Sequence, residues 1–299
     1  MTNRVDFLGL EDPYNNPKES AITILPVPYE KTTSYIKGTA KAPEKIIEAS
    51  CFVELYDEEL RFETFKKGIS TDYQLYEQEF TDDYENNLKI IENAISQNLE
   101  KWKCTIPIGG EHSITLPAVK AYSKHFDNLS ILQIDAHADL REEYEGSPYS
   151  HACVMKRLRE LNSLGNIVQF GIRSLSKEEA DLIEKNDLDI YFAYQLANNK
   201  YINDVIDEIE EKLSEYVYLT IDVDGFDPAI IPAAGTPEPG GIDWNLFMTL
   251  VKRLSRTKKI VGFDLVELAP NENLKGSDFI CAKMIYKVLG YIFNNGYVW

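Results

Sequence analysis

Residue types that bind metal ions stand at alternate positions in the stretch ILQIDAHADLRE (131–142). Asp135, His137 and Asp139 come directly after an apolar run. Successive residues of a β-strand point to opposite faces, so an extended chain would place these three side chains on one side. Two carboxylates and an imidazole are costly to bury without compensation. A divalent cation would compensate them, but a salt-bridged strand end with an incidental histidine explains this stretch equally well.

Two further clusters repeat the pattern. In YLTIDVDGFDP, Asp222 and Asp224 emerge two residues apart from another apolar run. In IPIGGEHSIT, a double glycine permits a tight turn that presents His112 at a strand-to-helix junction. A single histidine is more often structural than a ligand. However, three of the four histidines lie in or near these clusters, which favours a shared site.

The number of candidate ligands indicates how many ions they would hold. Six protein ligands on one ion would leave no room for substrate or water, whereas two ions that share bridging carboxylates would keep open positions. Such a pair of ions clamps a water molecule and lowers its pKa. Carboxylate and imidazole ligands without thiolates favour manganese over zinc. The sequence therefore predicts a two-metal hydrolytic site formed by His112, Asp135, His137, Asp139, Asp222 and Asp224.

Alternating apolar runs and helical patterns supply the elements that must position these residues. We predict strands at 21–29, 104–110, 129–137, 166–174, 188–194, 216–225 and 259–268. We predict helices at 42–56, 81–102, 116–126, 176–186, 201–215, 245–255 and 279–293. Strands that are apolar throughout are typical of a parallel sheet covered by helices on both faces, so the fold class is α/β. The polar clusters follow these strands, and open α/β sheets bind ligands at the carboxyl ends of their strands.

Composition limits the partners and the location of the protein. The chain has 299 residues and a formal net charge of −18, which disfavours nucleic acid and anionic membranes as partners and favours a cationic substrate. We find no apolar run of membrane-spanning length and no signal peptide, and the four scattered cysteines fit reduced thiols. Because no linker or repeat interrupts the pattern, we expect one cytoplasmic domain over residues 1–299.

The motifs at these residues resemble those of the ureohydrolase family, which includes arginase and agmatinase, and agmatinase most of all. The resemblance implies a three-layer α/β/α sandwich with a mainly parallel sheet, a dimanganese centre at its carboxyl edge, and a homo-oligomer, either a trimer or a hexamer. The stretch TTSYIKGTAKAPEKI (32–46) matches the family's substrate-side loop more weakly. The strong matches are GGEHS (109–113), DAHAD (135–139), SH (150–151), TIDVDGFDP (220–228), GTPEPGG (235–241) and VEL-P (266–270).

The resemblance also implies a role for each ligand. It assigns the six ligands in pairs: His112 with Asp139 on one manganese ion, His137 with Asp224 on the other, and Asp135 with Asp222 as bridges.

Further catalytic roles follow from the same resemblance. Asp139 would orient the bridging hydroxide, and His151 would shuttle a proton to the leaving amine. Glu267 would hold the guanidinium group, although an acid at a strand end could also form a surface ion pair. Ala152 follows His151 where the family often has glycine.

The implied substrate is a small cationic guanidino compound that yields urea and an amine. Glu142, Glu143 and Glu145 follow the metal-binding segment and would suit the free amine of agmatine, which would give putrescine. These glutamates could equally form a solvated surface that Arg141 offsets. If the glutamates do face the substrate, agmatine is the expected compound. The alternatives are aminopropylagmatine, guanidinobutyrate, formiminoglutamate, free guanidine and arginine.

Two other classes of protein share parts of this pattern. A non-catalytic, polyamine-binding relative would lack at least one metal ligand, and none is missing here. A dinuclear metallophosphoesterase would place positive groups near the ions, whereas this sequence is acidic around them.

Overall fold

The apolar runs of the sequence form a parallel β-sheet. The computed structural model describes residues 4–196 and 201–295 of the predicted domain. Its strands are β1 (Ile22–Val27), β2 (Ile69–Thr71), β3 (Cys104–Gly109), β4 (Leu129–Ile134), β5 (Leu164–Ile172), β6 (Ile190–Phe192), β7 (Tyr216–Asp222) and β8 (Lys259–Val266). All eight pair in parallel, in the order β2-β1-β3-β8-β7-β4-β5-β6.

Helices cover both faces of this sheet. They are α1 (Ala42–Ser50), α2 (Tyr84–Leu99), α3 (Thr115–Tyr122), α4 (Val154–Arg159), α5 (Lys177–Asn186), α6 (Ala193–Leu196), α7 (Ile202–Lys212), α8 (Trp244–Thr257) and α9 (Gly276–Asn294). Buried residues of α1, α7, α8 and α9 pack in one apolar cluster, and those of α2, α3 and α4 pack in another. Neighbouring residues of β4 divide between the two, Leu132 in the first and Ile131 in the second. The predicted α/β/α sandwich is therefore confirmed.

The strand order brings together segments that are distant in the sequence. Strands β3, β8, β7 and β4 are neighbours at the centre of the sheet, although they follow one another as the third, eighth, seventh and fourth strands of the chain. Each of these four strands is followed by one of the polar clusters. Because parallel strands end at the same edge, the clusters meet there. No helix of the described residues is long and apolar enough to cross a membrane.

Several element boundaries differ from the prediction. The sequence did not indicate β2, α4 or α6, which have three, six and four residues. The predicted strand 188–194 ends at Phe192, and the chain then turns into α6 because the Phe192 N–H donates to Oε1 of Gln195 (2.9 Å). The predicted helix 42–56 ends at Ser50.

The buried ammonium group of Lys287 fastens the loop after α1 to α9. Nζ of Lys287 lies 2.9 Å from Oδ1 of Asp57 and 2.8 Å from Oε2 of Glu59. Oδ1 of Asp57 also accepts hydrogen bonds from the backbone N–H groups of Glu59 (3.0 Å) and Leu60 (2.9 Å). Tyr291 donates its hydroxyl to Glu59 (2.7 Å). This network holds the segment in a loop where the sequence suggests a continued helix.

Candidate metal centre

His112 enters the site at a tight turn after β3. It begins a 3₁₀ turn (His112–Ile114) that leads directly into α3. The turn passes close to the end of β1, where a Cβ atom on Gly110 would lie 1.8 Å from the carbonyl oxygen of Tyr29. The glycine is therefore required by the close approach of two backbone segments, as the double glycine predicted.

The DAHAD segment reaches the site from a loop and not from an extended strand. Strand β4 ends at Ile134, and Asp139 has a left-handed backbone (φ 52°). His137 pairs with Ser174 by a single parallel bridge, and its backbone N–H donates to Oδ1 of Asp135 (2.6 Å). The three side chains converge as predicted, but a loop with one left-handed residue brings them together.

The ends of β7 and β8 are also turns. Asp222 is the last residue of β7, and its Oδ1 accepts the backbone N–H of Asp224 (2.9 Å) in the following 3₁₀ turn. Glu267 follows β8 with a φ of 65°. Left-handed backbone is uncommon for residues other than glycine and occurs often at functional sites, so its presence at both Asp139 and Glu267 draws attention to this edge.

The imidazoles and carboxylates form two groups that share Asp135. Nδ1 of His112 lies 3.0 Å from Asp135, 3.1 Å from Asp139 and 3.2 Å from Asp222. Nδ1 of His137 lies 3.0 Å from Oδ2 of Asp224 and 3.6 Å from Oδ1 of Asp135. The structure thus brings together all six predicted ligands. The sets His112, Asp135, Asp139 and Asp135, His137, Asp224 each place their ligand atoms close enough to hold one ion.

The hydrogen bonding of His112 fits a metal ligand. Its Nε2 lies 2.9 Å from Oγ1 of Thr220, and Thr220 donates its hydroxyl proton to Asp264 (2.7 Å). Nε2 must therefore be the donor to Thr220, which leaves Nδ1 as the ring atom that faces the carboxylates. Nδ1 is buried and makes no hydrogen bond, so a cation is the partner that suits it.

The electrostatics of the cluster also call for positive charge. Burial, together with the charge of Asp135, raises the pKa of Asp139 to about 7. Burial lowers the pKa of His137, but Asp224 and Asp135 outweigh it and raise that pKa to about 12. Burial and the neighbouring Asp224 raise the pKa of Asp222 well above its ordinary value. Burial therefore penalises the charged carboxylates, and two divalent ions would compensate them.

Residues outside the predicted site hold the candidate ligands in place. Nε2 of Gln133 donates to Oδ2 of Asp135 (2.6 Å), and the hydroxyl of Thr236 donates to Oδ2 of Asp224 (3.2 Å). The Arg173 guanidinium donates to the carbonyl oxygen of Asp224 (2.6 Å) and to other carbonyls of the neighbouring loops. Thr236 lies in the GTPEPGG motif, which could have indicated it. Nothing in the sequence distinguishes Gln133.

A cavity of about 240 Å³ opens onto the candidate ligands. His151 and Glu267, the two further catalytic candidates, both line it, and Asp135 is buried beneath it. The backbone N–H of His112 donates to Oε1 of Glu267 (2.6 Å), so Glu267 is fixed beside the ligands and is not a surface ion pair. The remaining cavity residues are Ser34, His112, His137, Ala138, Asp139, Arg141, Tyr144, Ala152, Ser174, Leu175, Glu179, Asp222, Asp224 and Thr236.

The loop glutamates do not contribute to this cavity. Glu142 is exposed and pairs with Arg157 (2.9 Å) and Lys156 (3.2 Å), and Glu143 and Glu145 are also exposed. Arg141 and Tyr144 line the cavity instead, with the guanidinium 5.1 Å from the centre of the ring. The argument that three glutamates select a free amine at the mouth is therefore wrong.

The fold and the ligand set together define a class of protein. Carboxylates and imidazoles clustered at the carboxyl edge of a parallel sheet, next to a cavity, are typical of metal-dependent hydrolases. The family model "Arginase family" matches residues 20–290, so the chain belongs to the arginase family. The resemblance seen in the sequence is thereby confirmed.

Named relatives and a solved structure indicate, within this family, an agmatinase-type ureohydrolase. N(1)-aminopropylagmatine ureohydrolase of Synechocystis is 40% identical over 91% of this chain and 89% of its own length. Agmatinase of Bacillus anthracis is 34% identical, with 85% of each chain covered. The crystal structure of agmatine ureohydrolase of Thermoplasma volcanium superposes with a TM-score of 0.83 and 32% identity, over 94% of this chain and 92% of that one.

Proposed function

We propose that this protein hydrolyses the guanidinium group of N1-aminopropylagmatine, with agmatine as the second candidate substrate. The observation that carries the choice is the 40% identity to the Synechocystis enzyme named for that substrate, over nearly the whole of both chains. Agmatinase of Bacillus anthracis, at 34% identity, supports the second candidate. The two substrates have the same guanidinobutyl part and differ in an aminopropyl group at the far end, so the same centre would act on both.

We further propose that two manganese ions occupy the ligand cluster. His112 and Asp139 would hold one ion, and His137 and Asp224 would hold the other. Asp135 and Asp222 would bridge them, which is supported by the position of Asp135 between the two histidines. When bound, two such ions lower the pKa of a water molecule and supply a nucleophile at neutral pH.

Glu267 is the proposed partner of the substrate guanidinium. Its Oε1 accepts a backbone N–H, and its side chain lines the cavity beside Asp224. Burial and the neighbouring Glu111 raise the pKa of Glu267 well above its ordinary value. A bound guanidinium would offset this repulsion and would form charge-assisted hydrogen bonds with the carboxylate. Glu267 would thus orient the guanidinium carbon toward the ligand cluster.

His151 is the proposed proton carrier. Burial lowers the pKa of His151 to about 4, so its imidazole is neutral at physiological pH. A neutral imidazole can accept one proton from the attacking water and pass it to the nitrogen of the departing amine. The C–O bond forms, and the C–N bond breaks as the amine nitrogen takes this proton. The second proton of the water then passes from the new oxygen of the urea to the free amine. Water and the guanidinium compound are converted to urea and a protonated amine, and His151 returns to its neutral form.

Urea release from a panel of guanidino compounds tests the proposed substrate. The manganese-loaded protein is compared on N1-aminopropylagmatine, agmatine, guanidinobutyrate and arginine by kcat/KM. One additional favourable contact of about 1.4 kcal/mol corresponds to about a tenfold preference, and we expect at least that for N1-aminopropylagmatine over agmatine. Arginine and guanidinobutyrate should be the poorest substrates. If either of these two were the best, the proposed substrate would be wrong, and Arg141 would become a candidate partner of their carboxylates.

A further inference from the structure

The buried carboxylate of Glu111 links the GGEHS turn to the loop that follows β1. Its Oε2 accepts the backbone N–H groups of Lys31 (2.5 Å) and Thr32 (2.6 Å). Its Oε1 accepts the hydroxyls of Thr32 (2.7 Å) and Ser113 (2.6 Å). The side chain is fully buried. Both oxygens are thus acceptors, and together they fix the position of the Thr32 hydroxyl.

Thr32 in turn contacts His151 twice. Its Oγ1 accepts the backbone N–H of His151 (3.0 Å) and lies 3.1 Å from the ring Nδ1. A threonine hydroxyl has one proton, and this proton is directed at Glu111. Nδ1 must therefore be the donor in the contact with Thr32. Oγ of Ser150, 3.3 Å from Nδ1, is a second oxygen that can accept from it.

We propose that Glu111 and Thr32 act as positioning residues that hold His151 in the tautomer with its proton on Nδ1. Among the described residues, none forms a hydrogen bond with Nε2 of His151, and the side chain lines the cavity. The fixed tautomer makes Nε2 the basic nitrogen, which accepts a proton and passes it to the departing amine. This inference rests on the proposed function, because it concerns the proton carrier of that reaction.

The hydrogen-bonded chain Glu111–Thr32–His151, here called the relay, also gives the TTSY segment a role. Thr32 belongs to the stretch that resembles the family's substrate-side loop, and Glu111 is next to the candidate ligand His112. The chain Glu111–Thr32–His151 connects these two distant segments through three side chains. Residues that orient a functional imidazole in this indirect way typically change activity by about 10–100-fold when they are removed.

A double-mutant cycle with Thr32→Val and His151→Ala tests the relay. Valine keeps the shape of threonine and removes the hydroxyl. In the manganese-loaded protein, Thr32→Val should lower kcat for urea release by about 10–100-fold, with KM and metal content unchanged. In the His151→Ala background, the same substitution should have almost no further effect, because the residue through which Thr32 acts is gone.

Two further variants separate the relay from a general loss of structure. Thr32→Ser keeps the hydroxyl and should restore most of the wild-type kcat. Thr23→Val removes a buried hydroxyl on β1, which lies 3.4 Å from Oγ of Ser70 and does not contact His151, and it should leave kcat close to the wild-type value.

Each contrary outcome points to a different error. An equal loss of kcat from Thr32→Val in both backgrounds, or no loss in the wild-type background, would overturn the relay and leave the proposed function intact. If the wild-type protein released no urea from any compound of the panel, the proposed function would fall and the relay with it.

Discussion

At the scale of single residues, Asp135 is the side chain on which the two halves of the candidate centre depend. Its oxygens lie within 3.0 Å of His112 and 3.6 Å of His137, and it is fully buried. His112 contacts three carboxylates, and these do not include Asp224, which lies beside His137. The loss of Asp135 should therefore affect both ions, whereas the loss of His112 should affect mainly one.

Metal counting on purified variants checks this difference. We expect Asp135→Ala to lose both manganese ions and His112→Ala to retain one more strongly than the other. His125→Ala is the matched control, because His125 does not line the cavity, and it should retain both ions. Equal losses in Asp135→Ala and His112→Ala would undo the assignment of Asp135 as a bridge.

His151 should matter for turnover and not for metal binding. It lines the cavity and hydrogen-bonds to Thr32, and it belongs to neither ligand group. We expect His151→Ala to lower kcat by about 10²–10⁴-fold, the range typical of a general acid or base, with the metal content unchanged. Steady-state kinetics and elemental analysis of the same sample measure both. Loss of metal in this variant would show that His151 has a structural role.

At the scale of elements, the four strands that carry the site were predictable and their ends were not. Continuous apolar runs indicate β3, β4, β7 and β8 because parallel strands are buried on both faces. Strand β4 ends at Ile134, before the ligands, and the left-handed residues Asp139 and Glu267 lie in the loops after β4 and β8. The surrounding structure imposes their backbone conformation. Alternation therefore predicted the convergence of the three DAHAD side chains for a partly wrong geometric reason.

The sequence did not predict the directions in which the loop side chains point. Glu142 turns outward because Lys156 and Arg157 lie on the helix that follows the loop, and their position depends on the tertiary fold. The relay through Thr32 was likewise hidden, because it joins residues that are 79 positions apart. Motifs identified the segments that meet, but not the contacts between them.

The buried ion pair of Lys287 and Asp57, between α9 and the loop after α1, allows a prediction on stability. Lys287→Met leaves Asp57 and Glu59 without their buried partner, and removal of one member of a buried ion pair costs about 3–5 kcal/mol. We expect a decrease of about 3 kcal/mol in the free energy of unfolding, measured by urea denaturation. Lys275→Met removes an exposed pair with Glu272 and should change it by less than about 0.5 kcal/mol. Similar losses in the two variants would contradict a stabilising role for the network.

At the scale of the whole molecule, the order of the strands in the sheet creates the site, because it differs from their order in the sequence. Segments from four parts of the chain meet because β3, β8, β7 and β4 lie side by side. The net charge of −18 attracts cations to the molecule as a whole, and both the proposed ions and the proposed substrates are cationic. Both the site and the net charge of the molecule therefore favour positively charged ligands.

Metal binding should depend on pH because the ions compete with protons. Without metal, Asp139 has a pKa of about 7 and His137 of about 12, so binding an ion must release protons from these groups. Manganese affinity should therefore rise with pH, by about tenfold per pH unit for each proton released. Calorimetric titrations of manganese between about pH 6 and pH 8 measure this slope. A manganese affinity that did not change with pH would contradict the proposed ligand set.

The most direct test of the account is urea release from N1-aminopropylagmatine and agmatine before and after removal of metal. We predict that the manganese-loaded protein forms urea and amine in equal amounts from at least one of the two compounds. Exhaustive chelation should abolish this activity, and added manganese should restore it. Full activity in protein that elemental analysis shows to be free of metal would contradict the central claim, as would the absence of urea from the manganese-loaded protein.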